Sequence, residues 1–168
     1  QLAKQHLNKT TPRYLLVNAG NANAGTGSQG LDDAENSCIS LAKLVGCIED
    51  EVLPFSTGVI GEDLPIDKIN SALPELIQGL SHDGWLDTAN AIMTTDTVPK
   101  AVSKSLPIGG STVTISGIAK GAGMIRPDMA TMLAFIATDA NIEKALLDKV
   151  LSKSVSQSFN RITIDGDT

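Results

Sequence analysis

Tyr14-Leu15-Leu16-Val17-Asn18-Ala19-Gly20-Asn21-Ala22-Asn23-Ala24-Gly25-Thr26-Gly27-Ser28-Gln29-Gly30 opens on an apolar run and continues into small residues. It reads as a strand over residues 14–17 followed by a long turn over 18–30. Beyond the turn, Ala34, Cys38, Leu41, Ala42 and Val45 recur at the three- and four-residue spacing of one helix face. Asp32 or Asp33 is the available N-cap and Gly46 the stop. Strand, glycine-rich loop and helix in that order make this an α/β chain.

The same reading extends outward. Residues 52–55 form a short apolar strand that ends in the turn Ser56-Thr57-Gly58, and helices are expected over 67–77 and 83–92. Val113, Ile115 and Gly117 alternate with polar residues over 111–118, the period of a strand with one wet face. A strand over 132–137, a helix over 141–159 and a strand over 161–164 complete the pattern. No repeat or linker interrupts it, so the chain is expected to be one mixed α/β unit over residues 1–168. It begins on Gln1 rather than Met and stops just after a strand, and is read as a fragment of a longer chain.

With 42% hydrophobic and 19% charged residues the chain can bury a core and is not disordered. Thirteen basic against nineteen acidic residues leave a net charge of −6, and aromatics are 3%, which argues against a nucleic-acid partner. No apolar run approaches a membrane span. Two cysteines, Cys38 and Cys47, make no disulfide framework, so a cytoplasmic location is expected.

Gly25-Thr26-Gly27-Ser28-Gln29-Gly30 matches the dinucleotide fingerprint literally. In that fold the glycines follow the strand directly, whereas here residues 18–24 intervene. The run is therefore read as a structural turn, and a non-catalytic dinucleotide-binding module stands as the rival. His6 and His82 are far apart, lack ligand spacing and are expected at the surface; neither a metal site nor a histidine-based triad is supported. Asp165 and Asp167 lack the rest of a calcium loop and are read as a turn. What remains is rich in hydroxyls: Ser56-Thr57-Gly58, Thr94-Thr95-Asp96-Thr97 and Ala130-Thr131. A threonine needs no histidine if its own α-amine, freed by cleavage before it, serves as the base.

Lys120-Gly121-Ala122-Gly123-Met124 with Pro127 and Met129-Ala130-Thr131-Met132-Leu133 resembles the self-cleavage segment of the ornithine acetyltransferase family, also called bifunctional glutamate N-acetyltransferases. Four more stretches agree in order: 17–24, 56–61, 91–97 with Lys100, and 159–168. The resemblance implies a layered α/β sandwich of the ornithine acetyltransferase type. It implies transfer of acetyl from N2-acetylornithine to glutamate in arginine biosynthesis, with acetyl-CoA a further donor in some members, and no cofactor or metal. It implies self-cleavage between Ala130 and Thr131, an acetyl-Thr131 intermediate, and α and β products that stay together as an α2β2 assembly. By the same resemblance Thr57 and Gly58 form the oxyanion hole, while Thr94 and Lys120 bind substrate. A related N-terminal-nucleophile hydrolase, passing the acyl group to water, is the alternative enzyme.

Overall fold

The computed structural model describes residues 1–126 and 132–167. It is a mixed α/β structure whose contacts gather into two compact units, Gln1–Gly84 and Trp85–Thr168, where the sequence reads as one.

The first unit contains α1 (Leu2–Lys9), β1 (Tyr14–Asn21), α2 (Gly27–Val45), β2 (Val52–Val59) and α3 (Ile66–Gln78). β1 and β2 pair in parallel, from Tyr14 opposite Val52 to Asn21 opposite Val59. Parallel pairing requires a crossover between the strands, and α2 supplies it. The face of α2 marked out by its apolar spacing is the buried one: Cys38, Leu41 and Ala42 pack with Val52 and Leu73 as the core. Burial pushes the Cys38 thiol up to about 12, so it is a packing group and not a nucleophile. At the other end Gly46 takes φ +70 and donates to Ala42 O, a left-handed helix stop.

α2 begins at Gly27, earlier than the expected cap. Asp33 is not an N-cap but a buried carboxylate inside the helix that accepts from Gln29 Nε2 at 2.9 Å. Glycines are poor helix formers, so local propensity conceals this first turn. β1 is also longer than expected, running to Asn21, so residues 18–21 belong to the strand and only 22–24 separate it from Gly25.

His6 corrects its expected surface position: it is 1% exposed. Its Nδ1 lies 2.8 Å from Val52 O and its Nε2 3.5 Å from Asp50 Oδ1. α1 has few apolar residues and is anchored by this histidine and by Lys9 Nζ on Asp50 at 2.9 Å, which apolar periodicity cannot reveal.

The second unit contains α4 (Trp85–Ala91), β3 (Lys100–Ile108), β4 (Ser111–Lys120), β5 (Leu133–Thr138) and α5 (Lys144–Gln157). Its sheet is antiparallel in the order β3-β4-β5. Ser103 pairs with Ser116 at 2.9 Å and Ser105 with Thr114 at 3.2 Å across one face of β3 and β4. β3 went unrecognised in the sequence because all nine of its residues are exposed. Its Lys100, Lys104 and Pro107 are edge-strand residues and mask the alternation. The strand expected over 161–164 is instead a 3₁₀ turn, Phe159–Arg161, followed by an isolated bridge between Ile125 and Ile164. Asp165 and Gly166 lie at positive φ, and Asp165 accepts from Asp167 N–H, so this end is a turn.

Candidate active site

The residues singled out by the sequence fall in both units and in the stretch 127–131. Ala130 and Thr131 lie outside the described residues. Thr57 and Gly58 lie within the last residues of β2 in the first unit, in the strand and not in the expected turn; Thr94 and Lys120 are neighbours in the second.

Thr57 is wholly buried, and its Oγ1 has no hydrogen-bond partner among the described residues. An unsatisfied buried hydroxyl costs about 1–3 kcal/mol, so its presence calls for a reason beyond packing. Next to it, Ser56 Oγ donates to Asn18 Oδ1 at 2.6 Å, and Asn18 Nδ2 donates to Asn21 O at 3.0 Å, which links the ends of the two strands. Gly58 has φ +135, and a Cβ there would stand 2.2 Å from Gly20 C and 2.3 Å from Gly20 O. Backbone cannot yield as a flexible side chain can. Gly58→Ala is therefore expected to lose roughly 3 kcal/mol or more through strain and the separation of β1 from β2. A thermal midpoint within about 2 °C of the parent would contradict this.

In the second unit Lys120, at the end of β4, is 5% exposed and donates from Nζ to Thr94 Oγ1 at 3.1 Å. Of the two adjacent threonines, Thr94 is the one this lysine reaches. Burial lowers the Lys120 pKa, Asp96 opposes that, and Lys100 adds to it, leaving it below an ordinary lysine. Its charge, and with it any hold on an anion, is present below that lowered value and is lost as pH rises through it.

Asp96 is the residue that sequence reading passed over. Its carboxylate accepts from the Lys100 ammonium, from Gly121 N–H at 2.8 Å and from Thr94 N–H at 3.4 Å. Burial alone would raise its pKa, but these bonds and the Lys100 charge outweigh it and hold the carboxyl below the usual range. The available signal was an aspartate in a threonine run with a lysine four residues on. Gly121 takes φ +142, a conformation that strains any residue with a Cβ, and a Cβ there would also displace Ile125 Cδ1, 2.9 Å away.

The glycine run beside β1 packs on itself. Thr26 Oγ1 donates to Asn23 Oδ1 at 2.9 Å, and Asn23 Nδ2 to Gly30 O at 2.7 Å. A Cβ on Gly30 would lie 2.0 Å from Thr26 Oγ1, so this glycine serves the turn. A cleft of about 570 Å³ adjoins the loop and reaches Pro54 and Ser56, and no acidic residue is among the described residues that line it. A dinucleotide ribose would call for one. Among the described residues no group of histidine, cysteine or acidic side chains is arranged to hold a metal, and no helix is long and apolar enough to cross a membrane.

The pattern of the ArgJ family matches residues 1–168. The arginine biosynthesis bifunctional protein ArgJ of Methylococcus capsulatus is 60% identical over 167 residues, covering 99% of this chain and 41% of that protein. The protein of the same description from Pseudomonas syringae pv. tomato is 54% identical over the same shares. The chain thus spans about two fifths of the length of these curated relatives. Among solved structures, the crystal structure of arginine biosynthesis bifunctional protein ArgJ from Bacillus halodurans matches with a TM-score of 0.68 at 38% identity, covering 77% of this chain and 68% of that one. Ornithine acetyltransferase from Mycobacterium tuberculosis, complexed with ornithine, matches with a TM-score of 0.69 at 34% identity, covering 77% and 69%. The mixed α/β fold is therefore of the ornithine acetyltransferase type, and the chain belongs to the ArgJ family.

Proposed function

We propose that the full-length protein moves acetyl from N2-acetylornithine to glutamate in arginine biosynthesis, through an ester on Thr131. The observation that carries this reading is Lys120: a buried ammonium whose one hydrogen bond among the described residues goes to a neutral hydroxyl. Donor and acceptor both present an α-carboxylate, and one cation can neutralise that group in each half-reaction. The ornithine held by the Mycobacterium tuberculosis relative carries the same carboxylate.

The chain is first cut. Thr131 Oγ attacks the Ala130 carbonyl, the C–N bond between the two residues breaks, and an ester with a free Thr131 amine results. Water then hydrolyses the ester and leaves Ala130 with a carboxylate.

In the transfer itself the Thr131 amine takes the hydroxyl proton, having a reference pKa of about 7.7–8.0. Thr131 Oγ attacks the acetyl carbonyl, the acetyl C–N bond breaks, and ornithine leaves with a proton on its amine. The glutamate amine then attacks the acetyl-Thr131 ester and restores the hydroxyl. In each tetrahedral intermediate Thr57 Oγ1–H and Gly58 N–H would donate to the oxyanion, a role that accounts for a buried hydroxyl without a partner. We assign the two products to an α2β2 assembly in the cytoplasm, with acetyl-CoA as a second candidate donor; the free thiols of Cys38 and Cys47 suit a reducing compartment.

Intact mass of the freshly made full-length protein tests the reading. Two chains split before Thr131 are expected, with one acetyl added to the second chain after exposure to N2-acetylornithine. Initial rates at several glutamate concentrations should give the parallel lines of a ping-pong reaction. Intersecting lines would replace the ester with direct transfer, and release of acetate without glutamate would make the enzyme a hydrolase.

A further inference from the structure

The acetyltransferase reading gives the substrate carboxylate to Lys120 and Thr94, and the present inference rests on that reading. The Asp96 side chain has no exposure to solvent, so its charge must be matched inside the protein. Its Oδ1 accepts from Gly121 N–H and from the Lys100 ammonium, and its Oδ2 accepts from Thr94 N–H. These donors come from the end of β4, the start of β3 and the turn after α4. Asp96 therefore ties the backbone of Thr94 to that of the residue following Lys120, and the bond from Lys120 Nζ to Thr94 Oγ1 runs between the two tied points.

The carboxylate also pairs selectively. Its ion pair is with Lys100, whose side chain is 44% exposed, and the buried Lys120 has no ion pair among the described residues. An ammonium has three donors. Lys120 uses one of them on Thr94, and among the described residues the others have no partner, which leaves them for an anion that enters the site. A direct Asp96–Lys120 pair would have taken a further donor and matched the charge inside the protein.

We propose that Asp96 is a positioning residue that holds Thr94 and Lys120 together for the substrate carboxylate, acting through the N–H groups of Gly121 and Thr94 rather than through Lys100. Asparagine in its place keeps one acceptor oxygen but turns the other into a donor, which cannot accept from a backbone N–H. One of the two ties must then open.

The test uses processed full-length enzyme, with ornithine and glutamate as separate calorimetric probes, since neither reacts without an acetyl donor. Asp96→Asn is expected to weaken both about tenfold or more, with kcat/KM falling for both substrates and kcat held within about twofold. Lys100→Gln is expected to leave both affinities within about threefold of the parent. If Asp96→Asn fails to fold because Lys100 is left unpaired, the double variant D96N/K100Q removes that charge and should show the same weakening. Parent enzyme that binds neither probe overturns the acetyltransferase reading and this inference with it. Parent enzyme that binds both, with Asp96→Asn or the double variant unchanged, overturns this inference alone. A Lys100→Gln enzyme as weak as Asp96→Asn overturns it too, because the ion pair would then be the operative contact.

Discussion

Full-length protein carrying Thr131→Ala is expected to remain a single chain and to show no acetyl transfer. In the proposed mechanism one hydroxyl makes both attacks, on the Ala130 carbonyl and on the acetyl carbonyl, so its removal should abolish two activities that separate assays can read. Electrophoresis or intact mass reports the first, and acetylglutamate formation the second. The loss should reach the background of the uncatalysed reaction, since no other hydroxyl beside this bond can replace a nucleophile whose base is its own amine. Thr131→Ser retains the hydroxyl and should still cut, more slowly if the methyl group helps to place Oγ. A Thr131→Ala protein that splits at the same bond would remove Thr131 from the mechanism altogether.

Thr57→Val is expected to separate activity from stability. Valine has nearly the shape of threonine and lacks the hydroxyl, so the wholly buried site remains filled. The lost donor should lower kcat by roughly 10²- to 10³-fold, the effect typical of removing one oxyanion-hole donor, with little change in KM. Processing should slow as well, because it passes through a tetrahedral intermediate of the same kind. Stability should rise by about 1 kcal/mol, since the hydroxyl that is removed has no partner and carries a desolvation cost. Activity gives way to stability in this manner where a polar group is kept for chemistry. If Thr57→Val were instead less stable and fully active, the hydroxyl would have a structural partner and no part in the oxyanion hole.

Asp96 and Lys120 show why one part of the site was legible and another was not. Lys120 stands in a segment whose residues resemble a known motif, so its proposed role could be inferred without knowing where the chain places it. Asp96 stands in such a segment too, at position 96 of Thr94-Thr95-Asp96-Thr97, but its proposed role rests on a bond from Gly121, twenty-five positions away. A local pattern carries no trace of a bond at that separation. His6 is the same case in the fold: its partner is Val52 O, and nothing near residue 6 indicates burial.

By itself the sequence determined the mixed α/β class, the face of α2 that enters the core, the helix stop at Gly46 and the family. These depend on periodicity, on the conformational freedom of glycine and on motifs that survive as strings of residues. Only the tertiary structure decided that α2 begins at Gly27, that the exposed 100–108 segment is a strand, that residues 161–164 make a bridge and not a strand, and that Asp96 connects Thr94 to Gly121. Each depends on a partner distant in the chain: strand pairing, a buried hydrogen bond or an ion pair forms only when folding has paid the entropy of bringing remote residues together.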